Sequence, residues 1–365
     1  MDRNGKARIR CLPELCSKNH SPTHQPKGVP GFVQYPKRSL MERSGEFGQM
    51  PPASDLRFFA RELRDEDLIN CLEVNPGRIG EELVGRTRAV QIWKGLIRSR
   101  SFTCTVVEAA QAPKDDRIVG FGAGVFVARA FADAELAGPR PCLNSRIIAS
   151  IDSGRSVILT EAGLRSGNTR GGLDFVILFA SLRYDILEPD GISEASAAMS
   201  FRFLEIHAGY RFHRLLVETV GPEEASSMAA THAFRMVREF EEPHRPTRGL
   251  WALTKAATVN VTGSVANALF HYAEPVLRLR DTDQQLLTAA LRGLTDEDLS
   301  LKLHISLTAV KKRWLSIFER TVDGRPDLFP AVDPHKNGLK RGRQKRHHVL
   351  AYMRAHPEEL RPLEL

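Results

Sequence analysis

The sequence predicts an α/β (or α+β) domain in the N-terminal part of the chain and an all-α domain at its C-terminal end. Strand-like and helix-like segments alternate between about residues 56 and 257, whereas residues 277–365 contain only helical patterns. The segment between them, residues 258–276, carries few charges and is typical of a linker. A chain of 365 residues is long enough for two separate hydrophobic cores.

Composition narrows the class of protein. Hydrophobic residues make up 42% and charged residues 26% of the chain, which is ordinary for a globular protein. No apolar run approaches the roughly 18 residues that a membrane helix needs, so no membrane partner is predicted. The net charge of +8 favours a polyanionic partner, with nucleic acid ahead of a membrane surface. The five cysteines are scattered and odd in number, which predicts no disulfide framework and a cytoplasmic location.

Residues 1–55 are rich in Pro, Gly, Ser, Lys and Arg and are predicted to form a disordered basic tail. Cys11, Cys16, His20 and His24 resemble a set of zinc ligands. However, only three residues separate Cys16 from His20, far too few for the finger between two ligand pairs. We therefore assign no metal. The residues leave open whether the natural chain starts at Met41 or Met50.

The alternating segments between residues 56 and 257 follow the periods of helices and strands. Helical spacing covers residues 65–73, 81–97, 144–152, 193–207 and 223–238. Strand-like sequence covers residues 102–107, 118–127, 157–159, 173–181 and 212–220. The first two of these strands flank a turn and predict a hairpin. The apolar run 173–181 predicts a buried strand, with a buried helix as the alternative.

This order of elements, with a hairpin after two helices and then a helix, Gly209-Tyr210 and a strand, resembles the Gcn5-related acetyltransferase fold. That family binds pyrophosphate with Gln/Arg-x-x-Gly-x-Gly/Ala at a helix start. Residues 165–168 and 168–172 are the nearest candidates, and both depart from that spacing. Strand-like sequence follows the second, so Gly171-Gly172 predicts a turn. We therefore predict no acetyl-CoA site, no cofactor and no catalytic residue.

Two short helices with their own start signals are predicted between residues 293 and 320. Thr295 and Asp298 form a capping pair for the first helix, and Ser306 can cap the second. The second helix carries an apolar stripe at three- and four-residue spacing: Leu307, Val310, Trp314, Ile317 and Phe318. A short helix, a tight turn and a helix with one basic face are typical of a helix-turn-helix.

Across these residues the sequence resembles the LuxR-type DNA-binding domain. The positions that match or nearly match the family pattern are Gly293, Thr295, Asp298, Leu299, Leu303, Ile305, Ser306, Val310 and Lys311. The departures are Asp296, Ser300, His304, Ala309 and Arg313. The resemblance implies a helix-turn-helix regulator that binds double-stranded DNA as a homodimer. The family's fourth helix is less well matched, because a Pro- and Gly-containing insert occupies residues 321–342 before a helical pattern at 343–356.

The predicted DNA contacts lie on the outer face of the second helix. Thr308, Lys312, Leu315 and Ser316 are placed to reach base edges, and Lys311, Arg313 and Arg320 to contact phosphates. A basic run further on could also contact phosphates or could simply be a solvated face: Lys340, Arg341, Arg343, Lys345 and Arg346.

The function predicted from these observations is that of a DNA-binding transcriptional regulator that is not an enzyme. Residues 56–257 would sense a small-molecule ligand or mediate assembly, and residues 277–365 would bind DNA, with nucleoid association when bound. Two alternatives remain: an acyltransferase-like enzyme fused to a helix-turn-helix module, and a helical module that binds proteins.

Overall fold

The computed structural model describes residues 57–241, 246–259, 261, 265–329 and 341–364. The predicted disordered tail, its Cys and His residues and Lys340 lie outside these ranges.

A seven-stranded mixed sheet forms the centre of the α/β part, with strand order β1-β2-β3-β4-β5-β7-β6. The strands are β1 (Phe58–Arg61), β2 (Phe102–Ala109), β3 (Ile118–Val127), β4 (Leu173–Leu182), β5 (Phe212–Val220), β6 (Arg235–Phe240) and β7 (Arg248–Thr254). Only the β4–β5 pair is parallel; the other neighbours are antiparallel. The prediction of a mixed α/β fold is confirmed.

Helices cover both faces of this sheet. They are α1 (Leu68–Glu73), α2 (Arg86–Leu96), α3 (Arg129–Ala137), α4 (Leu143–Asp152), α5 (Glu161–Ser166), α6 (Pro189–His207), α7 (Pro222–Ala230) and α8 (Lys255–Val259). Helices α1, α2 and α4 bury one core with side chains such as Trp93, Phe121 and Phe179. Helix α6 packs on the opposite face, against β1, β2 and β3.

Two predicted elements differ from the structure. The helix predicted at 223–238 ends at Ala230, and its second half is the edge strand β6. Strand β6 pairs with β7, which lies beyond the predicted helix in sequence, so the pairing is not visible locally. The strand predicted at 157–159 is reduced to a single bridge between Val127 and Ile158.

Strands β4 and β5 diverge partway along their length. Their pairing runs from Leu173–Phe212 to Ile177–Val217 and then stops, although β4 continues to Leu182. A β-bulge lies at the same level, because Leu178 has no partner on β3. Parallel strands joined by the crossover helix α6 therefore open into a gap at their C-terminal ends.

The C-terminal part contains α9 (Asp281–Ala290), α10 (Asp296–Lys302), α11 (Leu307–Gly324) and α12 (Arg341–Ala355). The predicted caps are present: the Thr295 hydroxyl accepts from the Asp298 amide at 3.2 Å, and Ser306 caps α11 in the same way. Val310, Trp314 and Ile317 are buried in a core shared with α9 and α12.

The end of the chain returns from these helices to the α/β part. The Asn168 side-chain amide donates to the Pro362 carbonyl at 2.9 Å, and Arg361 Nε donates to the Ala208 carbonyl at 2.8 Å. The Arg361 guanidinium lies over the Tyr210 ring, 4.6 Å from its centroid. Gly209 has a positive φ of 81°, and a Cβ there would collide with the backbone of the C-terminal segment. The C-terminal segment is thus fastened to the residues that immediately follow α6.

Candidate functional site

A cavity of about 230 Å³ lies between the sheet and α6. Its walls come from β2, β3, β4 and α6, with β5, β7 and the segment after α8 at one end. The lining residues are Thr103, Cys104, Thr105, Gly122, Ala123, Gly124, Ile177, Phe179, Ala180, Met199, Ser200, Phe203, Leu204, Ile206, His207, Leu215, Phe234, Leu253, Ala266 and Leu269. The lining contains no acidic residue, lysine or arginine, so the cavity suits an apolar group.

Small residues on neighbouring strands keep this space open. In the sheet, Thr105 lies opposite Gly122, and Gly122 lies opposite Ala180, so a row across three strands has no large side chain. A Cβ placed on Gly122 would lie only 3.3 Å from Met199 Sδ of α6. Because core packing is normally dense, a void bounded in this way depends on the absence of that side chain.

The cavity lining includes Ala180 of β4, which lies beyond the point where β4 leaves β5. Ala180 is exposed, whereas Phe179, His207 and Leu253 are buried. Beyond Ile177 the described residues provide no strand partner for β4 on its β5 side. We infer that a ligand enters beside Ala180.

The gap between β4 and β5 is closed from the other face of the sheet by α4. The Asn144 side-chain amide donates to the Leu178 carbonyl. The buried Glu218 carboxylate accepts from the amides of Cys142 and Leu143, at 2.7 and 3.1 Å. Burial raises the pKa of Glu218. The start of α4 is thus hydrogen-bonded to both diverging strands. The gap between the strands is therefore covered on the α4 face of the sheet and open on the face where α6 packs.

His207 forms part of the cavity wall as an uncharged imidazole. Its Nδ1 lies 2.8 Å from the Phe203 carbonyl, which can only accept, so Nδ1 carries the proton. Nε2 therefore accepts from the Thr103 hydroxyl, also at 2.8 Å. Burial, with a smaller contribution from the nearby charge of Arg361, lowers the pKa of His207 from 6.5 to about 3. At neutral pH the side chain adds hydrogen bonding to the cavity but no charge.

Cys104 also lines the cavity, but its thiol is not activated. Burial raises the pKa of Cys104 to about 12. Because the thiolate is the nucleophilic form, a cysteine in this environment is inert at neutral pH.

The start of α6, which follows β4, does not fit a pyrophosphate. Pro189 occupies its first position and has no N–H to donate, and Glu188 and Asp190 flank it. Arg183, in the segment between β4 and α6, is paired with Asp185 at 2.8 Å. The loop contains no glycine before Gly191. A coenzyme A donor would find no phosphate cradle here.

The two segments considered as phosphate loops, residues 165–168 and 168–172, hold the fold together. The Asn168 side chain is buried and bonded to the Pro362 carbonyl and the Arg211 amide. Gly172 has a φ of 79° and directly precedes β4, as the predicted turn required.

The predicted DNA-binding residues lie along α11. Thr308, Lys311, Lys312 and Leu315 are exposed, and Ser316 is half-buried. Two predicted phosphate contacts are instead bonded to backbone carbonyls: Arg320 to Arg278 at 2.8 Å and Arg313 to Thr282 at 3.3 Å.

In the basic run of residues 340–346, two of the side chains contact other parts of the protein. Arg346 is paired with Asp296 at 3.0 Å and lies over the Trp314 ring. Lys345 lies 5.2 Å from the centroid of the Phe329 ring. Arg341 and Arg343 belong to α12, but their side chains, like Lys340, lie outside the described parts of the chain. The DNA contacts of individual residues stay predictions.

Solved structures similar to this chain include an N-acyl amino acid synthase and an acetyltransferase. FeeM, an N-acyl amino acid synthase from uncultured soil microbes, is 9% identical, with 55% of this chain and 91% of that chain covered and a TM-score of 0.31. A GNAT-family acetyltransferase from Bacillus cereus is 9% identical, with 54% and 97% covered and a TM-score of 0.28. AAC(6')-Ib, in complex with ribostamycin and coenzyme A, is 13% identical, with 57% and 99% covered and a TM-score of 0.29. No protein-family model and no curated protein sequence matches the chain.

These comparisons contradict the prediction of a DNA-binding transcriptional regulator. They likewise contradict the expectations of double-stranded DNA as the partner and of a chain that is not an enzyme, and they favour the acyltransferase alternative. None of them shows a LuxR-type domain. The names of these proteins agree with the predicted resemblance of the N-terminal domain to the Gcn5-related acetyltransferase fold.

Sequence reasoning missed the cavity residues altogether. The available signal was a period of two on adjacent predicted strands: Thr103 and Thr105 on one, and Gly120, Gly122 and Gly124 on the other. Glycine at alternate positions of a strand leaves one face bare, which indicates close approach or a void.

Proposed function

We propose that this protein is an acyl-transfer enzyme that holds the acyl chain of its donor in the cavity between the sheet and α6. The observation that carries this proposal is the position of the cavity: its lining is apolar and includes the exposed Ala180 of β4, beyond the last residue of β4 that pairs with β5. Such an arrangement holds a chain inside the protein and leaves its reactive end at the surface.

The size of the cavity supports an acyl chain as its occupant. Small-molecule sites commonly measure roughly 300–1,000 Å³. A volume of about 230 Å³ falls below that range and suits one slender apolar part of a ligand. Each methylene moved from water into such a site contributes about 0.8 kcal/mol, or roughly fourfold in affinity.

The opening supports transfer at this point. Beyond Ile177 the described residues leave β4 without a strand partner on its β5 side. Backbone N–H groups in such a gap can donate to the oxygen of a reacting carbonyl, as in an oxyanion hole. No described residue of the cavity wall supplies a charged base, so a reacting amine would have to arrive uncharged or lose its proton outside the cavity.

The donor is expected to be recognised through its acyl chain and thioester. Glu188, Pro189 and Asp190 at the start of α6 disfavour a phosphate there. We therefore expect a decanoyl pantetheine thioester to react about as well as decanoyl-CoA, within roughly threefold in kcat/KM, because only weak electrostatic terms separate them. A hundredfold preference for the CoA thioester would reveal a phosphate site that this geometry does not contain.

The test of the function uses thioesters of N-acetylcysteamine with acetyl, hexanoyl, decanoyl and tetradecanoyl chains. Free thiol release is followed with a panel of amines that includes amino acids, since one similar structure is titled an N-acyl amino acid synthase. The expected kcat/KM rises by about fourfold per methylene until the cavity is full. Equal rates with acetyl and decanoyl donors, or no amine-dependent thiol release with any donor, would refute the proposal.

We further propose that residues 277–364 form a helical module of helix-turn-helix form, separate in its core from residues 56–257 and joined by residues 258–276. Support comes from the core around Leu286, Val310 and Trp314, which contains no side chain of the sheet. The cytoplasm stays the proposed compartment, and the described Cys71, Cys104 and Cys142 form no disulfide.

A further inference from the structure

One hydroxyl on the cavity wall has no hydrogen-bond partner. The Thr105 side chain is 2% exposed, and no described residue donates to or accepts from its Oγ1. Thr105 belongs to the row with Gly122 and Ala180 that lines the cavity. A buried hydroxyl is normally paired, because leaving it unpaired forfeits the bond it made with water.

The neighbouring residue Thr103 shows that a hydroxyl on this wall forms a hydrogen bond where a partner is within reach. Thr103 projects from the same face of β2, two residues away, and its hydroxyl donates to His207 Nε2 at 2.8 Å. Thr105 faces Gly122 across the strand pair, and glycine offers no side-chain acceptor. The missing partner must therefore occupy the cavity itself.

A single bound water is a poor candidate for that partner. An internal water needs two to four polar contacts, as a rule. The nearest side-chain hydroxyl on this strand, that of Thr103, is about 7 Å away along the strand and already donates to His207. Met199, above Gly122, is apolar.

We propose that the acyl group bound in this cavity carries an oxygen substituent, a hydroxyl or a ketone, that pairs with the Thr105 hydroxyl. The inference rests on the proposed function, since it concerns the chemistry of the same acyl chain. An oxygen-bearing chain satisfies the orphaned hydroxyl, whereas a plain chain leaves it buried and unpaired. Thr105 is in this sense a specificity residue.

The experiment measures binding to the full chain by calorimetry. The probes are decanoate, monohydroxydecanoates with the hydroxyl at successive positions, and the corresponding ketodecanoates. With the wild-type protein, the best oxygenated chain is expected to bind about 5- to 10-fold more tightly than decanoate. That ratio should fall to one or below in Thr105→Val, which keeps the shape and removes the hydroxyl, and should persist in Thr105→Ser.

The matched control is Thr219→Val, in which a buried hydroxyl outside the cavity is removed and the ratio is expected to persist. The inference is overturned if every oxygenated chain binds the wild-type protein more weakly than decanoate, or if the preference survives Thr105→Val. Loss of the preference in Thr219→Val alone would also overturn it. If neither decanoate nor its derivatives bind at all, the acyl-chain site itself is refuted. Tight binding of decanoate with no gain from any oxygen refutes only the inference about Thr105.

Discussion

The hydroxyl of Thr103 donates to Nε2 of His207 across 2.8 Å, and this bond joins β2 to the last turn of α6 inside the cavity. The other ring nitrogen is held by the Phe203 carbonyl, so the imidazole has one tautomer and one orientation. Around it lie the rings of Phe126, Phe175 and Phe212. The pair fixes the distance between the sheet and α6 at the buried end of the cavity.

Removing this hydroxyl should destabilise the fold. In Thr103→Val the Nε2 atom of His207 is buried without a donor, which costs about 1–3 kcal/mol. The free energy of unfolding, measured in urea, is expected to fall by that amount. The loss of stability in Thr103→Val is compared with that in Thr219→Val. Thr219 lies on β5, and its hydroxyl accepts from Trp251 Nε1 outside the cavity. A Thr103→Val protein as stable as the wild type would show that the bond contributes nothing.

His207 should make stability depend on pH in the acidic range. Its pKa is about 3 in the folded protein and 6.5 when exposed, so between these values the unfolded chain binds one more proton than the native chain. Stability from this group is therefore complete above pH 6.5 and falls as pH drops towards 3, by about 1.4 kcal/mol per pH unit.

The measurement compares urea unfolding of the wild type and His207→Gln across that range. Glutamine can still accept from Thr103 but does not titrate, so the difference between the two slopes isolates the histidine from the carboxylates. Parallel curves for the two proteins would mean that folding does not lower the pKa of His207.

Filling the floor of the cavity should change which donors are accepted. Gly122→Val places a branched side chain against Met199, because even a Cβ there lies 3.3 Å from its sulfur. We expect the ratio of kcat/KM for decanoyl to acetyl thioesters to fall by about 10-fold or more, the equivalent of two lost methylenes.

Val125→Ile is the matched control for this variant. Val125 lies on the same strand but belongs to the core with α1 and α2, so added bulk there should affect stability and leave the ratio unchanged. An unchanged ratio in Gly122→Val would place the acyl chain elsewhere.

The helical module should depend on Trp314. Its ring is 3% exposed, its Nε1 donates to Asp296 at 3.3 Å, and Arg346 lies over its face. Trp314→Ala is expected to cost about 3–5 kcal/mol and to unfold residues 277–364, seen as lost helical circular dichroism. Leu315→Ala, next to it and exposed, is the control with little effect. A Trp314→Ala protein that unfolds at the wild-type urea midpoint would show that this core is not needed.

Local signals predicted several features well. The capping pair of Thr295 and Asp298 and the cap at Ser306 were predictable because a cap involves residues three apart in sequence. Strands β2, β3, β4 and β5 followed from period and apolar continuity. Strand β6 did not, because Arg235–Phe240 is a mostly exposed edge strand whose partner among the described strands, β7, comes later in the chain.

The sequence by itself determined strands β2, β3, β4 and β5 and the caps of two C-terminal helices, and it predicted the resemblance to the Gcn5-related fold, because these depend on short-range patterns of apolar, capping and turn residues. Only the tertiary structure decided where a ligand can bind. Thr103 and His207 are 104 positions apart and meet because α6 crosses back over the sheet. Thr105, Gly122 and Ala180 form one row because three strands pair in one register. A cavity is a property of packing between distant segments, and no local pattern contains it.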